Sequence, residues 1–331
     1  MISGHGDDAF HFSRPMVANF SSNVYGHVDL EPLKAHLRQR LDAIGHYPEP
    51  EPYSLERALA GRLGISPSSV CVTNGATEAI YLTAHAFQDA HSTILGPTFS
   101  EYADACRLYE SEPRGARRAM IWLCNPNNPT GGVIPKEELT KEIEENPETV
   151  FVIDQSYGFF TKEPLLSAAE AVAYPNVIQL HSMTKRYAMP GLRLGYITAN
   201  PALTEKIRAV RMPWSVNALA IEAGLYLCQH PETGPIDLET LLAETQRLRK
   251  ALNAIPGLTA EPTQTHFFLC HLQKGSAADL KQWLADKHGI LIRDASNFEG
   301  LDEGHFRIAT QTPEENNLLT TAIQHYLEDR R

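Results

Sequence analysis

Short, nearly continuous apolar runs alternate along the chain with longer stretches whose apolar residues recur at helical spacing. Runs of the first kind lie at 70–73, 93–95, 121–124, 150–153, 176–180 and 194–198, and they read as strands. Val150-Phe151-Val152-Ile153 has no polar interruption, as a strand in a parallel sheet covered on both faces requires. Helical spacing marks 33–44, 54–63, 79–87, 137–144 and 202–210, with Ser54 in position to cap the second of these. A long charged amphipathic helix is expected at 238–255. Beyond it come strands at 266–270, 289–293 and 306–309 around a helix at 278–287. The first part of this pattern predicts an α/β fold with a mostly parallel sheet, and the second a smaller α+β unit. The division expected is an N-terminal arm at 1–30 with one short strand, a large domain at 31–235, and a small C-terminal domain at 236–331.

Composition narrows the function class. The chain of 331 residues carries 29 basic and 40 acidic side chains, a net charge of −11, which argues against nucleic acid or an anionic membrane as the main partner. No apolar run approaches the roughly 20 residues of a spanning helix, and the N-terminus lacks a signal-peptide core, so a cytoplasmic protein is expected. Cys71, Cys106, Cys124, Cys228 and Cys270 have no metal-type spacing. Reduced thiols are expected, and no metal site.

Candidate chemistry gathers where strands end. The run Ser182-Met183-Thr184-Lys185 is followed by a turn punctuated by Pro190 and Gly191, and then by Arg193. This layout suits an aldehyde cofactor that carries a phosphate. The Lys185 amine can condense with the aldehyde, while Ser182 and Arg193 can hold the phosphate as hydrogen-bond donor and fixed charge. The 70–73 strand runs through Asn74-Gly75 into a helix, an arrangement whose free backbone N–H groups bind anions. Asp154 ends the 150–153 strand, where a carboxylate can pair with a pyridine nitrogen and keep it protonated; Tyr157 can donate to a phenolic oxygen.

Together these pieces, in this order, resemble the fold-type I pyridoxal-phosphate enzymes, the class I/II aminotransferases with the aspartate aminotransferase-like fold. Within them the likeness is greatest to the L-threonine-O-3-phosphate decarboxylases of cobalamin synthesis and to the histidinol-phosphate aminotransferases. It spans about residues 5–311. The resemblance implies that Ala76 and Thr77 cradle the cofactor phosphate, and that Tyr102, or Phe99 nearer the strand, stacks on the pyridine ring. It implies too that Asn128, within Asn125-Pro126-Asn127-Asn128-Pro129-Thr130-Gly131, bonds the phenolic oxygen. Tyr47, before Pro48, would reach the cofactor phosphate of a neighbouring subunit, which implies a homodimer with shared active sites. His5 and Asn23 would face the phosphate of a small phosphorylated amino acid or amine substrate, and Arg307 would grip its acidic group.

The chain also departs from those relatives. Between Tyr102 and Met120 it is short by about one strand and one helix, and Gln311 stands where the decarboxylases tend to have a second arginine. Arg293 or Arg14 could compensate for the latter. Three functions follow in order of support. The first is decarboxylation of L-threonine O-3-phosphate to (R)-1-amino-2-propanol O-phosphate, favoured by His5-Gly6, the 19–23 run and the 212–218 run, in which Trp214 and Asn217 line the cavity, a subunit contact or only the core. The second is amino transfer of the histidinol-phosphate type. The third, a non-catalytic regulatory pyridoxal-phosphate binder, gains nothing from the sequence, because the lysine is intact and no basic DNA-binding helix is visible.

Overall fold

The computed structural model describes residues 6–109 and 119–329. Its strands are β1 (Ala18–Asn19), β2 (Val70–Thr73), β3 (His91–Ile94), β4 (Ala119–Cys124), β5 (Val150–Asp154), β6 (Val177–Ser182), β7 (Gly195–Ala199), β8 (Leu258–Ala260), β9 (Phe267–Leu272), β10 (Ile290–Leu291), β11 (Arg293–Asp294) and β12 (His305–Ala309). The helices of the first part are α1 (Glu31–Gln39), α2 (Tyr53–Leu63), α3 (Gly75–Ala86), α4 (Glu101–Tyr109), α5 (Lys136–Glu145), α6 (Ala168–Ala171) and α7 (Met183–Arg186). They are followed by α8 (Pro201–Arg208), α9 (Ala218–Gln229), α10 (Leu238–Asn253), α11 (Ala277–His288) and α12 (Pro313–Glu328).

Six strands form the main sheet in the order β2-β7-β6-β5-β4-β3. The β3, β4, β5 and β6 pairings are parallel, and β7 runs antiparallel between β2 and β6. The α/β fold with a mostly parallel sheet is therefore as expected. All five residues of β5 are buried. Val150 and Val152 pack into a cluster with Ala79 and Ile80 of α3, while Phe151 and Ile153 pack into another with Leu139 and Ile143 of α5. That two-sided burial is why the strand has no polar alternation. A second, four-stranded sheet, β11-β12-β9-β8, is antiparallel and backed by α10, α11 and α12 through Leu248, Leu280 and Leu319. Among the described residues no helix is long and apolar enough to cross a membrane.

Several local expectations change. The 289–293 strand is two strands: β10 pairs in parallel with β1 of the arm, and β11 joins β12. Ile292 between them is fully buried, so the chain passes from one ladder to the next without surfacing. The 33–44 helix stops at Gln39, and a 3-10 turn at Leu41–Gly45 follows. Ser54 is not the cap of α2. It lies inside the first turn, donating its N–H to Glu49 Oε2 at 2.9 Å, and Pro52 holds the cap position. α3 begins at Gly75 rather than 79, because Glu78 Oε2 accepts the N–H of Asn74 and closes the first turn. Strand β8 carries too short an apolar pattern to have been expected.

Candidate active site

The parallel strands β4, β5 and β6 all end on one side of the sheet, and one cavity opens there, the position at which open α/β sheets bind ligands. Each strand delivers one expected residue to it: the turn after β4 gives Asn128, β5 ends on Asp154, and β6 ends on Ser182, three residues before Lys185. Lys185 lines the cavity and donates from Nζ to the Ser22 carbonyl of the arm at 3.0 Å. Enclosure by protein, reinforced by the charges of Arg307 and Arg193, draws its ammonium down from 10.5 to about 8. An amine poised there is available as a nucleophile and base.

Asp154 is buried, and burial pushes its carboxyl up from the ordinary range. Hydrogen bonds oppose that push: Tyr102 donates its hydroxyl to Oδ2 at 2.7 Å, and the Ser156 N–H reaches Oδ1 at 2.8 Å. Tyr102 is thus tied to Asp154 by its hydroxyl. Its ring stacks on Trp122 at 5.9 Å, and Phe99 meets its edge at 5.8 Å. Tyr157 is buried beside Phe267, at 4.8 Å between ring centroids, and burial raises its hydroxyl despite the nearby Arg307.

The start of α3 forms the anion-binding end. Gly75 has φ +82°, and a Cβ there would sit 2.5 Å from Nη2 of Arg193, so the guanidinium lies directly on the backbone at the helix N-terminus. Ala76 and Thr77 line the cavity at the same place, as do Ser182 and Thr184. Thr184, which the sequence reading passed over, is buried, and its Oγ1 has no hydrogen-bond partner. Its position one residue before the lysine was the available signal.

Two arginines also line the cavity. Arg293 of β11 and Arg307 of β12 are directly opposed in the antiparallel ladder, and only 5% and 4% of their surfaces are exposed. Arg307 donates to Asn128 Oδ1 and the Ser21 carbonyl, and Arg293 to the Asp294 carbonyl and to Asn297 Oδ1 at 2.8 Å. Among the described residues no carboxylate lies within ion-pair distance of either. Burial lowers the pKa of both guanidiniums, and like charges directly opposite repel. The arrangement calls for an anion. The arm also adds Gly6, Asp7 and Ser21 to the cavity, Gly6 and Ser21 belonging to the His5-Gly6 pair and the 19–23 run noted in the sequence; Asp7, and Phe298 from the loop after β11, had been given no role.

Other expected residues lie elsewhere. His5 falls outside the described residues. Asn23, with φ +53°, is fully buried and does not line the cavity, although Ser22 and Val24 beside it do. Tyr47 is 87% exposed and packs on Trp214 at 5.5 Å, and it does not line the cavity of its own chain. Arg14 binds the Asp286 and Lys287 carbonyls at the end of α11, so of the two compensating candidates only Arg293 reaches the site. Gln311 donates to the Val24 and Ala309 carbonyls and does not line the cavity either. Asn217 caps α9, accepting the Ala220 N–H at 2.8 Å, and ties it to the Leu192 carbonyl.

The family model for aminotransferase class I and II matches residues 15–323. The chain belongs to that family. Its fold matches the crystal structure of L-threonine-O-3-phosphate decarboxylase from Porphyromonas gingivalis with a TM-score of 0.90 at 40% identity, over 94% of this chain and 100% of that one. The threonine-phosphate decarboxylase of Salmonella typhimurium is 30% identical over 95% of this chain and 92% of its own. A histidinol-phosphate aminotransferase of Caldanaerobacter subterraneus is 29% identical over 86% and 85%.

This family member is a pyridoxal-phosphate enzyme, and its cavity fits the group. The unpartnered Thr184 Oγ1, the free N–H groups of α3 and the Arg193 guanidinium over Gly75 match a phosphate, while Asp154 lies deep in the cavity wall, where a ring nitrogen needs a carboxylate.

Proposed function

We propose that the protein is a decarboxylase of L-threonine O-3-phosphate that uses pyridoxal phosphate, within cobalamin biosynthesis. The observation that supports the reading is the opposed, buried pair Arg293 and Arg307, which line the same cavity as Lys185 and have no carboxylate within ion-pair distance among the described residues. A substrate with a carboxylate and a phosphate on a three-carbon amine satisfies two such guanidiniums at once. Gln311 does not weaken this reading, because that position does not reach the cavity here.

When bound, the cofactor supplies an aldehyde for the substrate amine and a ring that takes up the electron pair released at Cα. In this reading Ser182, Thr184, Arg193 and the α3 backbone hold its phosphate. Asp154 holds the proton on the ring nitrogen and is itself fixed by Tyr102 and Ser156. Asn128 and Tyr157, which both line the cavity, would bond the cofactor's phenolic oxygen. Arg293 and Arg307 would fix the two anionic ends of the substrate, the arrangement that would favour loss of the carboxylate as carbon dioxide, with a proton replacing it at Cα. Lys185 carries protons at that face. Tyr47 reaches the phosphate of a second copy of the chain, in a homodimer.

The cofactor-loaded protein is to be incubated with L-threonine O-3-phosphate and no keto acid. Carbon dioxide and aminopropanol phosphate, each above one equivalent per site, are expected. The second reading, amino transfer of the histidinol-phosphate type, is supported by the aminotransferase relatives and by a 25% identical aminotransferase structure from Clostridium acetobutylicum, TM-score 0.83. Silence with threonine phosphate, together with conversion of the cofactor to its pyridoxamine form by histidinol phosphate, would replace the first reading with the second.

A further inference from the structure

The end of the small sheet that carries Arg307 also brings together three metal-ligating side chains with no part in the chemistry above. His271 of β9 and His305 of β12 are direct partners in the antiparallel ladder, and their rings lie 4.4 Å apart. Asp302 stands in the turn that enters β12. Its Oδ1 is 3.2 Å from His271 Nε2 and 2.7 Å from His305 Nδ1, and the potential ligand atoms of all three lie within 4.8 Å of one another. Four-coordinate zinc, with bonds of about 2.0–2.2 Å to nitrogen and oxygen, needs ligand atoms roughly 3.3 Å apart, so small rotations suffice. Gly304 makes room for this, since a Cβ there would meet His271 Nε2 at 2.9 Å and the Leu272 carbonyl at 2.7 Å. The Gly304 N–H donates to Asp302 Oδ1 at 3.0 Å and fixes the carboxylate beside the two imidazoles.

We propose that His271, Asp302 and His305 bind a divalent transition-metal ion of the zinc class, in a site separate from the catalytic cavity. Two imidazoles and one carboxylate suit zinc, nickel or copper rather than the hard cations that prefer all-oxygen sets. The imidazoles are partly buried and Asp302 is exposed, which leaves water to complete the shell. The ion braces the loop between β11 and β12. Leu301, next to Asp302, packs with Leu269, Ala295 and Phe298, and the other end of that loop supplies Asn297 to Arg293. Both histidines lie on the strand face that bears Arg307 two residues further along β12.

The test is titration of chelator-treated, cofactor-loaded protein with zinc chloride by calorimetry, and with cobalt chloride by visible absorption. One zinc per chain is expected in the unaltered protein, with a rise in melting temperature. Asp302→Asn is expected to bind at least about tenfold more weakly. The double variant His271→Asn, His305→Asn is expected to bind none at this site, with circular dichroism and cofactor absorption showing that it is folded and loaded. Zinc uptake of equal stoichiometry and affinity by the double variant, or no uptake by the unaltered protein, overturns the proposal.

Discussion

Lys185 stands among opposing charges, and the balance has a measurable outcome. Burial, Arg307 and Arg193 bring its ammonium down to about 8, while Asp7 and Asp154 push the other way. Below that value the amine holds a proton and cannot attack an aldehyde. Reconstitution of the cofactor-free protein with pyridoxal phosphate, followed by absorbance, should therefore quicken with an apparent midpoint near pH 8; a midpoint near 10 would refute this. Because the folded value lies below the ordinary 10.5, the stability this group contributes is fully present above about 10.5 and is lost as pH falls through 8. Lys185→Ala should lower turnover by at least roughly a thousandfold, measured by product formation. The arginine pair makes a second prediction with two readouts. Arg293→Gln should cost about ten- to a hundredfold in kcat/KM, the worth of charged hydrogen bonds. It should also leave the substrate-free melting temperature unchanged or higher, because a buried like-charge repulsion is removed. A large fall in melting temperature would mean that Arg293 serves the fold instead.

At the scale of elements, the turn from β2 into α3 should couple backbone conformation to cofactor binding. Gly75→Ala places a side chain at φ +82°, costing roughly 1–2 kcal/mol, and drives Arg193 off the helix N-terminus. Spread over folding and binding, that cost predicts a lower melting temperature and a pyridoxal-phosphate dissociation constant raised by about tenfold. Unchanged affinity would show that Arg193 does not serve the phosphate. This element was legible in the sequence because strand, turn and helix are contiguous there, and the same holds for Ser182, Lys185, Arg193 and Asp154. What escaped was set by topology. Arg293 became a cavity residue only when the 289–293 run split between two ladders, and no periodicity announces a two-residue strand. Asn217 and Arg14 looked available for chemistry and turned out to serve helix ends, since a polar side chain in a loop reads the same way in either role. Tyr102 was expected as a stacking ring; its hydroxyl bond to Asp154 joins residues far apart in sequence, and no local pattern carries it.

Over the whole molecule, the surface holds an apolar patch at odds with a chain of net charge −11. Ile44, Tyr47 and Met212 are exposed by 72, 87 and 72%, with Trp214 half exposed beneath Tyr47. The patch adjoins the catalytic cavity: Asn217 ties its segment to Leu192, Ser215 meets Glu78 of α3 at 3.4 Å, and Pro190 lines the cavity itself. A second copy covering this face would bury the apolar side chains and bring its own Tyr47 toward the phosphate end. Light scattering should then give twice the 36.8 kDa chain mass. Mixed dimers test whether the site is shared. A chain with Lys185→Ala paired with one carrying Tyr47→Ala keeps one complete site if Tyr47 acts across the interface, because the intact lysine receives the intact tyrosine. A chain with both changes paired with an unaltered chain then keeps none. If Tyr47 served its own chain the pattern would reverse, with the second pairing active and the first not. Measuring cofactor affinity and turnover on the two purified mixed dimers therefore gives opposite answers for the two arrangements, and a tagged, co-expressed pair of chains is enough to do it.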